Sequence, residues 1–315
     1  MLLFLFGILI GEAAFSQQIP LLIQSRDNHA LLNPASLSND YLIYNRSVGL
    51  DVTIQNYGAG SDLAPKTGAL TFHTLIGGND SGVKLLLGGN LLFDDEGFTQ
   101  TLSSQLRLAG IFSTNPDREK IVIGLSGGVS QFRINTEEVR LVDAGDVKGM
   151  TGLTQWYPDF SLGVFYSRWL QNDDNIYFGF SVPQLFSLDK RVSNEAGDYQ
   201  LEKQAHYMAH AGFHKFIGGN SLLEPSLRLL FLKDAPTYFD AKIRWKWRKA
   251  FWLGVGAANN GFLQYEAGFY IEKKKANAAN LAIGIAVQSQ VLGSETTPLG
   301  NSIELKISWS KPAND

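Results

Sequence analysis

One stretch of the chain, Phe239 to Arg248, alternates between apolar and charged residues without a break. Successive side chains of an extended chain point to opposite faces, so the apolar residues share one face and the charged residues share the other. The apolar face holds Phe239, Ala241, Ile243, Trp245 and Trp247, and the charged face holds Asp240, Lys242, Arg244, Lys246 and Arg248. A helix would scatter these charges around its circumference, so the pattern predicts a strand. Such a strand fits an antiparallel sheet over a soluble core, or a transmembrane barrel with lipid outside and a wet lumen inside.

Alternating runs of this kind recur along the chain, separated by Gly, Asn, Asp and Pro. No segment shows helical periodicity over eleven residues or more, so the sequence indicates an all-β fold. Fourteen strands are predicted, at 48–57, 67–76, 82–92, 98–112, 119–133, 158–168, 175–186, 203–216, 221–232, 236–248, 250–257, 261–272, 279–290 and 301–310.

The lengths and aromatic content of these strands favour a membrane. Most are long enough to cross an outer membrane when tilted, since about 9–11 residues suffice. Trp245, Trp247 and Trp309 lie near strand ends, where an interfacial aromatic girdle is expected. A soluble sandwich or a lipocalin-like barrel would show the same alternation and stays an alternative. We therefore predict a transmembrane antiparallel β-barrel of about 14 strands at 48–310, in contact with outer-membrane lipid.

The connections between strands differ in length in an ordered way. The three longest, 134–157, 187–202 and 291–300, all fall at odd-numbered positions in the series. Outer-membrane barrels have short periplasmic turns and longer outer loops, so this ordering predicts an upright barrel.

The ends of the chain predict three further segments. Residues 1–16 carry an apolar run, Leu2 to Ile10, then mostly small residues up to Ser16, and they predict a signal peptide. Residues 17–47 are expected to form an ordered lead-in or plug segment, and residues 311–315 a C-terminal tail.

Several classes of function find no support in the sequence. The chain has no cysteine, which excludes disulfides and thiolate chemistry, and its net charge of −3 gives no case for nucleic acid. Gly254-Val255-Gly256 fits neither nucleotide fingerprint. No local motif selects catalytic residues, so we predict no catalytic, cofactor or metal site.

Three histidines share one face of the strand 203–216, at His206, His210 and His214. Neighbours four residues apart on a strand are separated by about 13 Å, so they could not chelate one ion without partners from other strands. We expect lumen or interface histidines in preference to a metal site.

The two best-patterned strands predict a polar network inside the barrel. If 236–248 and 261–272 both line the lumen, their polar side chains lie close together, and such a network more often holds a barrel interior than catalyses a reaction. The candidate lumen-facing residues are Asp240, Lys242, Arg244, Lys246, Gln264 and Glu266.

Three short sequence motifs, which we call the family words, resemble motifs of the PorP/SprF family of outer-membrane proteins. They are Asn33-Pro34-Ala35, the run from Pro158-Asp159 to Tyr166, and the segment Ser181-Val182-Pro183-Gln184-Leu185-Phe186 that ends the next strand. The last is the most specific, and the resemblance covers nearly the whole mature chain in length and strand rhythm.

The resemblance implies a Gram-negative, Bacteroidetes-like outer-membrane barrel that works with type IX secretion and gliding machinery. Family members support export or attachment of adhesin-like cargo with a C-terminal sorting domain, and are thought to connect with a peptidoglycan-binding periplasmic protein. No catalytic residues come with the family. The first hypothesis is thus an anchor or scaffold; a channel for a small or apolar solute is the second, and a lumen hydrolase without a motif is the third.

Overall fold

The computed structural model describes most of the chain. The described residues are 22–37, 45–55, 64–77, 83–97, 99–113, 115, 118–134, 154–186, 188–194, 197–233, 235–247, 250–272, 279–291 and 301–311. The predicted signal peptide and C-terminal tail therefore lie outside them, except for Lys311.

In the described part of the chain, fourteen antiparallel strands form one closed barrel, which confirms the predicted fold class. Strands β1 to β7 follow one another around the wall, β10 to β16 continue it, and β16 pairs with β1. Two more strands, β8 and β9, form a separate two-stranded sheet. The strands are β1 (Arg46–Ile54), β2 (Lys66–Ile76), β3 (Val83–Asp95), β4 (Thr99–Phe112), β5 (Glu119–Ile134), β6 (Thr154–Trp169), β7 (Asn175–Val182), β8 (Leu188–Asn194), β9 (Gly197–Lys203), β10 (His206–Ile217), β11 (Ser221–Leu232), β12 (Tyr238–Trp247), β13 (Phe251–Ala258), β14 (Phe262–Glu272), β15 (Asn280–Gln290) and β16 (Ser302–Lys311).

The two faces of the barrel wall have opposite polarity. In β12, Ala241 and Ile243 are exposed on the outside, whereas Asp240, Lys242 and Arg244 are buried inside. The same order holds in β1, where the apolar side chains point outward and Asp51 inward. This is the reverse of a soluble protein, and hydrocarbon around the barrel explains it, because only half of each strand then needs to be apolar.

The two ends of the barrel differ. We call one the long-loop end, where 55–65, 135–153, 183–205 and 291–301 connect the strands, and the other the short-turn end. Asn45 and Lys311 meet at the short-turn end, where the Asn45 amide donates to the Lys311 carbonyl oxygen at 3.1 Å.

Strand β7 is shorter than predicted and ends at Val182 instead of residue 186. Pro183 lacks the amide that would continue the ladder, and Gln184 has a positive φ of 56°, which turns the chain. Strand β6 starts earlier than predicted, at Thr154, and because β7 ends at Val182, the first part of β6 pairs only with β5 among the described strands.

Two other elements were missed by the sequence prediction. The predicted connection 187–202 holds the hairpin of β8 and β9 except for its last residue, Lys203. The lead-in contains a helix, α1 (Ser25–Leu32), which is too short to give a periodic signal over eleven residues. In the described part of the chain no helix is long and apolar enough to cross a bilayer.

A charge placed on the outer wall tests the orientation of the strands. Leu106 lies near the middle of β4 and is 69% exposed. We expect Leu106→Arg to lower the free energy of unfolding by about 2–4 kcal/mol, because lipid cannot solvate the guanidinium at this depth. Urea titration in lipid vesicles measures it, with Leu106→Ala as the control of small effect. Equal stability of both variants would contradict a lipid-facing wall.

Candidate functional site

Ion pairs join neighbouring strands on one side of the lumen. Arg228 on β11 contacts Asp240 on β12 at 2.6 Å, and Lys246 on β12 lies 3.0 Å from Glu224 on β11. All four side chains are less than a tenth exposed. Removing one partner would leave the other charge buried and unpaired at a high cost in free energy, so the pairs fix the packing of this wall.

A third pair spans two strands. Arg244 on β12 binds Glu266 on β14 with two hydrogen bonds, from Nε at 2.6 Å and from Nη2 at 3.0 Å. Gly254 of β13 lies opposite both residues. A Cβ at Gly254 would come within 2.5 Å of Glu266 Cγ, so the absence of a side chain there leaves room for the pair.

The structure brings together the six lumen residues that the sequence predicted, on β12 and β14. Asp240, Arg244, Lys246 and Glu266 are members of the pairs above, and the Gln264 side-chain amide donates to Gln288 Oε1 at 3.2 Å. Lys242 packs its Cγ beside Gly256, and among the described residues no atom accepts a hydrogen bond from its buried ammonium.

The first described segment, Leu22–Leu37, lies inside the lumen. Its start is held by Glu304 of β16, whose carboxylate accepts the Ile23 amide at 2.5 Å and the Gln24 amide at 3.0 Å. The Thr53 hydroxyl donates to the same carboxylate at 3.1 Å. Glu304 thus joins the segment to both strands that close the barrel.

Helix α1 is held to the same two strands by a second contact. The Lys306 ammonium lies 2.9 Å from the Asp51 carboxylate and donates to Asn28 Oδ1 at 3.0 Å, and the Asn28 amide donates to Asp51 at 3.2 Å. The three side chains are all buried. Because each residue contacts the other two, the helix position and the ion pair depend on each other.

Asn33-Pro34-Ala35, the first family word, packs on a groove of glycines in the wall. The Asn33 side chain donates to the Val164 carbonyl oxygen at 3.1 Å, while its Oδ1 accepts the Ala35 amide at 2.9 Å. An ideal Cβ on Gly163 would overlap Asn33 Oδ1, and one on Gly124 would lie 2.6 Å from the Ala35 amide nitrogen. The glycines are needed because the backbone of the segment contacts the wall directly.

The second and third family words meet where pairing between β6 and β7 stops. The Phe160 carbonyl oxygen accepts the Leu185 amide at 2.7 Å, and Phe186 packs edge-on against Phe160 at 5.6 Å. Alternate residues of a strand direct their backbone to the same side, so Pro158 faces the edge of β6 that has no partner strand among the described residues. Having no N–H, Pro158 protects the edge from pairing with another strand.

The remaining motif residues have lumen or edge positions. Asp159 points inward and accepts the Ser130 hydroxyl at 3.0 Å. Ser181 is buried in the lumen, and the Pro183 carbonyl oxygen accepts the His206 amide at 3.3 Å.

The three predicted histidines are all buried in the lumen but have different neighbours. His206 lies 3.0 Å from the Gln204 carbonyl oxygen, His214 lies 3.3 Å from Glu224, and the His210 ring lies against the His29 ring of helix α1, with centroids 4.0 Å apart and planes tilted by 33°. Among the described residues no group of three or more His, Cys, Asp or Glu side chains is placed to hold a metal ion.

Residues 14–309 match the sequence pattern of a protein family described as type IX secretion system membrane protein PorP/SprF. The chain belongs to the PorP/SprF family. A protein of this family with a barrel fold lies in the Gram-negative outer membrane and associates with the secretion machinery. The comparison with curated proteins found no match.

Among solved structures, two toluene transporters and a FadL homologue share the fold of this PorP/SprF barrel. The Ralstonia pickettii toluene transporter TbuX is 12% identical with a TM-score of 0.57, and the match covers 91% of this chain and 94% of the TbuX chain. A Pseudomonas aeruginosa FadL homologue is 10% identical with a TM-score of 0.53, and the match covers 93% of this chain and 94% of the homologue. The Pseudomonas putida toluene transporter TodX is 9% identical with a TM-score of 0.51, covering 95% of each. At these identities the likeness concerns the fold alone.

Sequence reasoning missed the residues that hold the lead-in segment. Glu304 and Lys306 lie on the polar face of the last strand, so the sequence was sufficient to predict that they point inward. It could not predict their contacts with residues 23, 24 and 28. The glycines opposite Asn33 gave one usable signal, because glycine within a strand marks a close approach of another backbone.

A methyl group in the glycine groove tests the docking of the first family word. Gly163→Ala should displace Asn33 and expose Ala35, which is fully buried. Because the chain has no cysteine, Ala35→Cys supplies a single reporter for a water-soluble maleimide. We expect labelling of Ala35→Cys to rise about tenfold or more when Gly163→Ala is added, as docking weakens by about 1.4 kcal/mol or more. Gly68→Ala, which meets nothing within 4 Å, is the matched control. Unchanged labelling would refute a tight fit.

Removing one partner of a buried pair tests the ionic wall. Arg244→Met should lower the free energy of unfolding by about 3–5 kcal/mol, since Glu266 would keep a buried charge without its guanidinium. Adding Glu266→Leu should restore most of this loss. Urea titrations of both variants measure the effect. The control is Arg168→Met in the exposed pair with Glu119, expected to cost about 1 kcal/mol or less. A loss no larger than the control's would contradict the argument.

Proposed function

We propose that this PorP/SprF protein is a non-enzymatic anchor that supports type IX secretion or the surface attachment of a large adhesin-like cargo. It works by binding and not by turnover. The observation that carries the proposal is the binding of residues 22–37 inside the lumen at several places along their length, among them Glu304, Asp51 with Lys306, and the glycine groove. A barrel whose lumen is occupied in this way offers its two ends, more than its interior, to other molecules.

Each end has a proposed partner. The long connections provide a surface for the cargo and its C-terminal sorting domain. The short-turn end would face the periplasm, where gliding or secretion components, including a peptidoglycan-binding protein, would attach. Residues 17–47 would act as the plug of the barrel at 48–310, and residues 1–16 as the signal peptide that directs the chain to export.

Deletion of the gene tests the anchor function in cells. Surface proteins of the deletion strain are compared by mass spectrometry with those of the parent strain. We expect one adhesin-like protein to disappear from the surface while other secreted proteins stay, because an anchor serves its own cargo. Expression of the unmodified protein should restore it, as should Gly68→Ala. An unchanged set of surface proteins would refute the proposal.

Conductance in planar bilayers separates an anchor from a channel. We expect no steady current from the intact protein, because the lumen segment is bound at both its start and its end. A variant lacking residues 22–37, checked for heat-dependent migration on gels, should conduct if that segment is the plug. Steady, selective openings of the intact protein would instead favour transport of a small or apolar solute.

A further inference from the structure

A cavity opens in the lumen beside helix α1, on the short-turn side. Its volume is about 50 Å³, several times the roughly 10–15 Å³ that one water molecule needs, so it has room for a small anion. Ser47 and Ser310, which pair across β1 and β16 near the short-turn end, line it, and Ala30 of the helix lies against it. A ligand could therefore enter from the short-turn end.

Arg107 of β4 lines this cavity and has an unusual set of partners. Its side chain is 4% exposed, and its Nη1 donates to the Ser36 carbonyl oxygen at 2.9 Å. No carboxylate among the described residues forms an ion pair with it. A guanidinium has five N–H donors, and a buried one is normally matched by an anion. Arg107 is thus a buried charge without a counter-charge in the described part of the chain.

The other two cations of the cavity are already neutralised. Arg244 binds Glu266, and Lys306 binds Asp51, as described above. Gly88 lies between Arg107 and His73 on the strand ladder and leaves room for the guanidinium, since a Cβ there would lie 2.8 Å from Arg107 Nε. The uncompensated positive charge of the cavity is therefore concentrated at Arg107.

The opposite wall of the cavity carries further polar atoms that lack partners within the described residues. Trp252 Nε1, a donor, and Asn280 Oδ1, an acceptor, are buried and make no hydrogen bond there. Trp252 also packs against the Tyr270 ring with centroids 4.8 Å apart. Buried polar atoms of folded proteins nearly always have a partner, so these two atoms point to a polar occupant of the space.

We propose that this cavity binds a ligand that carries an oxyanion group, a carboxylate or a phosphate, taken up from the short-turn end. Arg107 is the charge partner of the oxyanion, because a guanidinium matches the planar fork of a carboxylate or two oxygens of a phosphate. Trp252 and Asn280 on the other wall bind the polar body of the ligand, and the Trp252 ring provides a flat apolar surface. The proposal is independent of the anchor function, since it concerns binding by the purified protein alone.

Titration calorimetry of the full chain in detergent micelles tests this binding. The probes are sodium phosphate and sodium acetate in separate titrations, each against sodium chloride at equal ionic strength. We expect saturable binding of at least one oxyanion, and about tenfold or more weaker binding by Arg107→Gln, which loses the charge and the fork. Arg107→Lys, which keeps only the charge, should fall in between. Trp252→Phe keeps an aromatic ring but loses the indole N–H, and it should bind the same probes more weakly than the unmodified protein does.

The controls and the outcomes decide between the alternatives. Arg168→Gln removes an exposed cation outside the lumen and should bind as the unmodified protein does. Heat-dependent gel migration verifies that each variant is a closed barrel. Binding of phosphate alone, of acetate alone or of both identifies the class of oxyanion. No saturable binding of either, or equal binding by folded Arg107→Gln, overturns the proposal, and neither result depends on whether the chain anchors cargo.

Discussion

Hydrocarbon cannot form a hydrogen bond with a backbone amide, and this constraint governs the whole structure. A sheet in lipid must have no free edge, so the strands curve until the last meets the first. In this chain β16 pairs with β1 over the full length of β1, from Arg46 to Ile54. The same solvent reverses the usual polarity of the wall. Apolar side chains point outward, and polar side chains are left to satisfy one another in the interior.

The lumen is organised by that requirement. A buried charge costs less free energy when it has a partner, and Arg228, Arg244 and Lys246 each find a carboxylate on a nearby strand. The residues of the lead-in segment serve as further partners, because the Ile23 and Gln24 amides and the Asn28 side chain complete the sets around Glu304 and Lys306. The segment is therefore a part of the interior polar network and not merely an object placed within the barrel.

The sequence predicted the barrel well, because lipid imposes a simple rule on every strand. Alternation in Phe239 to Trp247 was sufficient to assign the inward face, and the boundaries of most strands followed from Gly, Asn and Pro. Contacts that join distant parts of the chain were out of reach. No local pattern connects Glu304 with residue 23, or Asn33 with Gly163. Helix α1 is too short to show a helical period. Pro183 ends β7 because it lacks the N–H for the next hydrogen bond of the ladder, and the alternation of apolar and polar residues carries no information about this loss. The buried position of Arg107 without a counter-charge became visible only with the cavity.

The order of assembly follows from where the lead-in segment is fastened. Glu304 and Lys306 lie on the last strand, more than 250 residues from the atoms that they hold. Contacts this far apart in sequence form late, since the intervening chain must first be brought together. The final strand therefore closes the wall and secures the N-terminal segment in the same event. A nascent or truncated chain that lacks this strand has neither a closed wall nor a bound lead-in segment. Such an incomplete barrel therefore exposes an open sheet edge and an undocked lead-in segment at the same time, and both features distinguish it from the finished barrel.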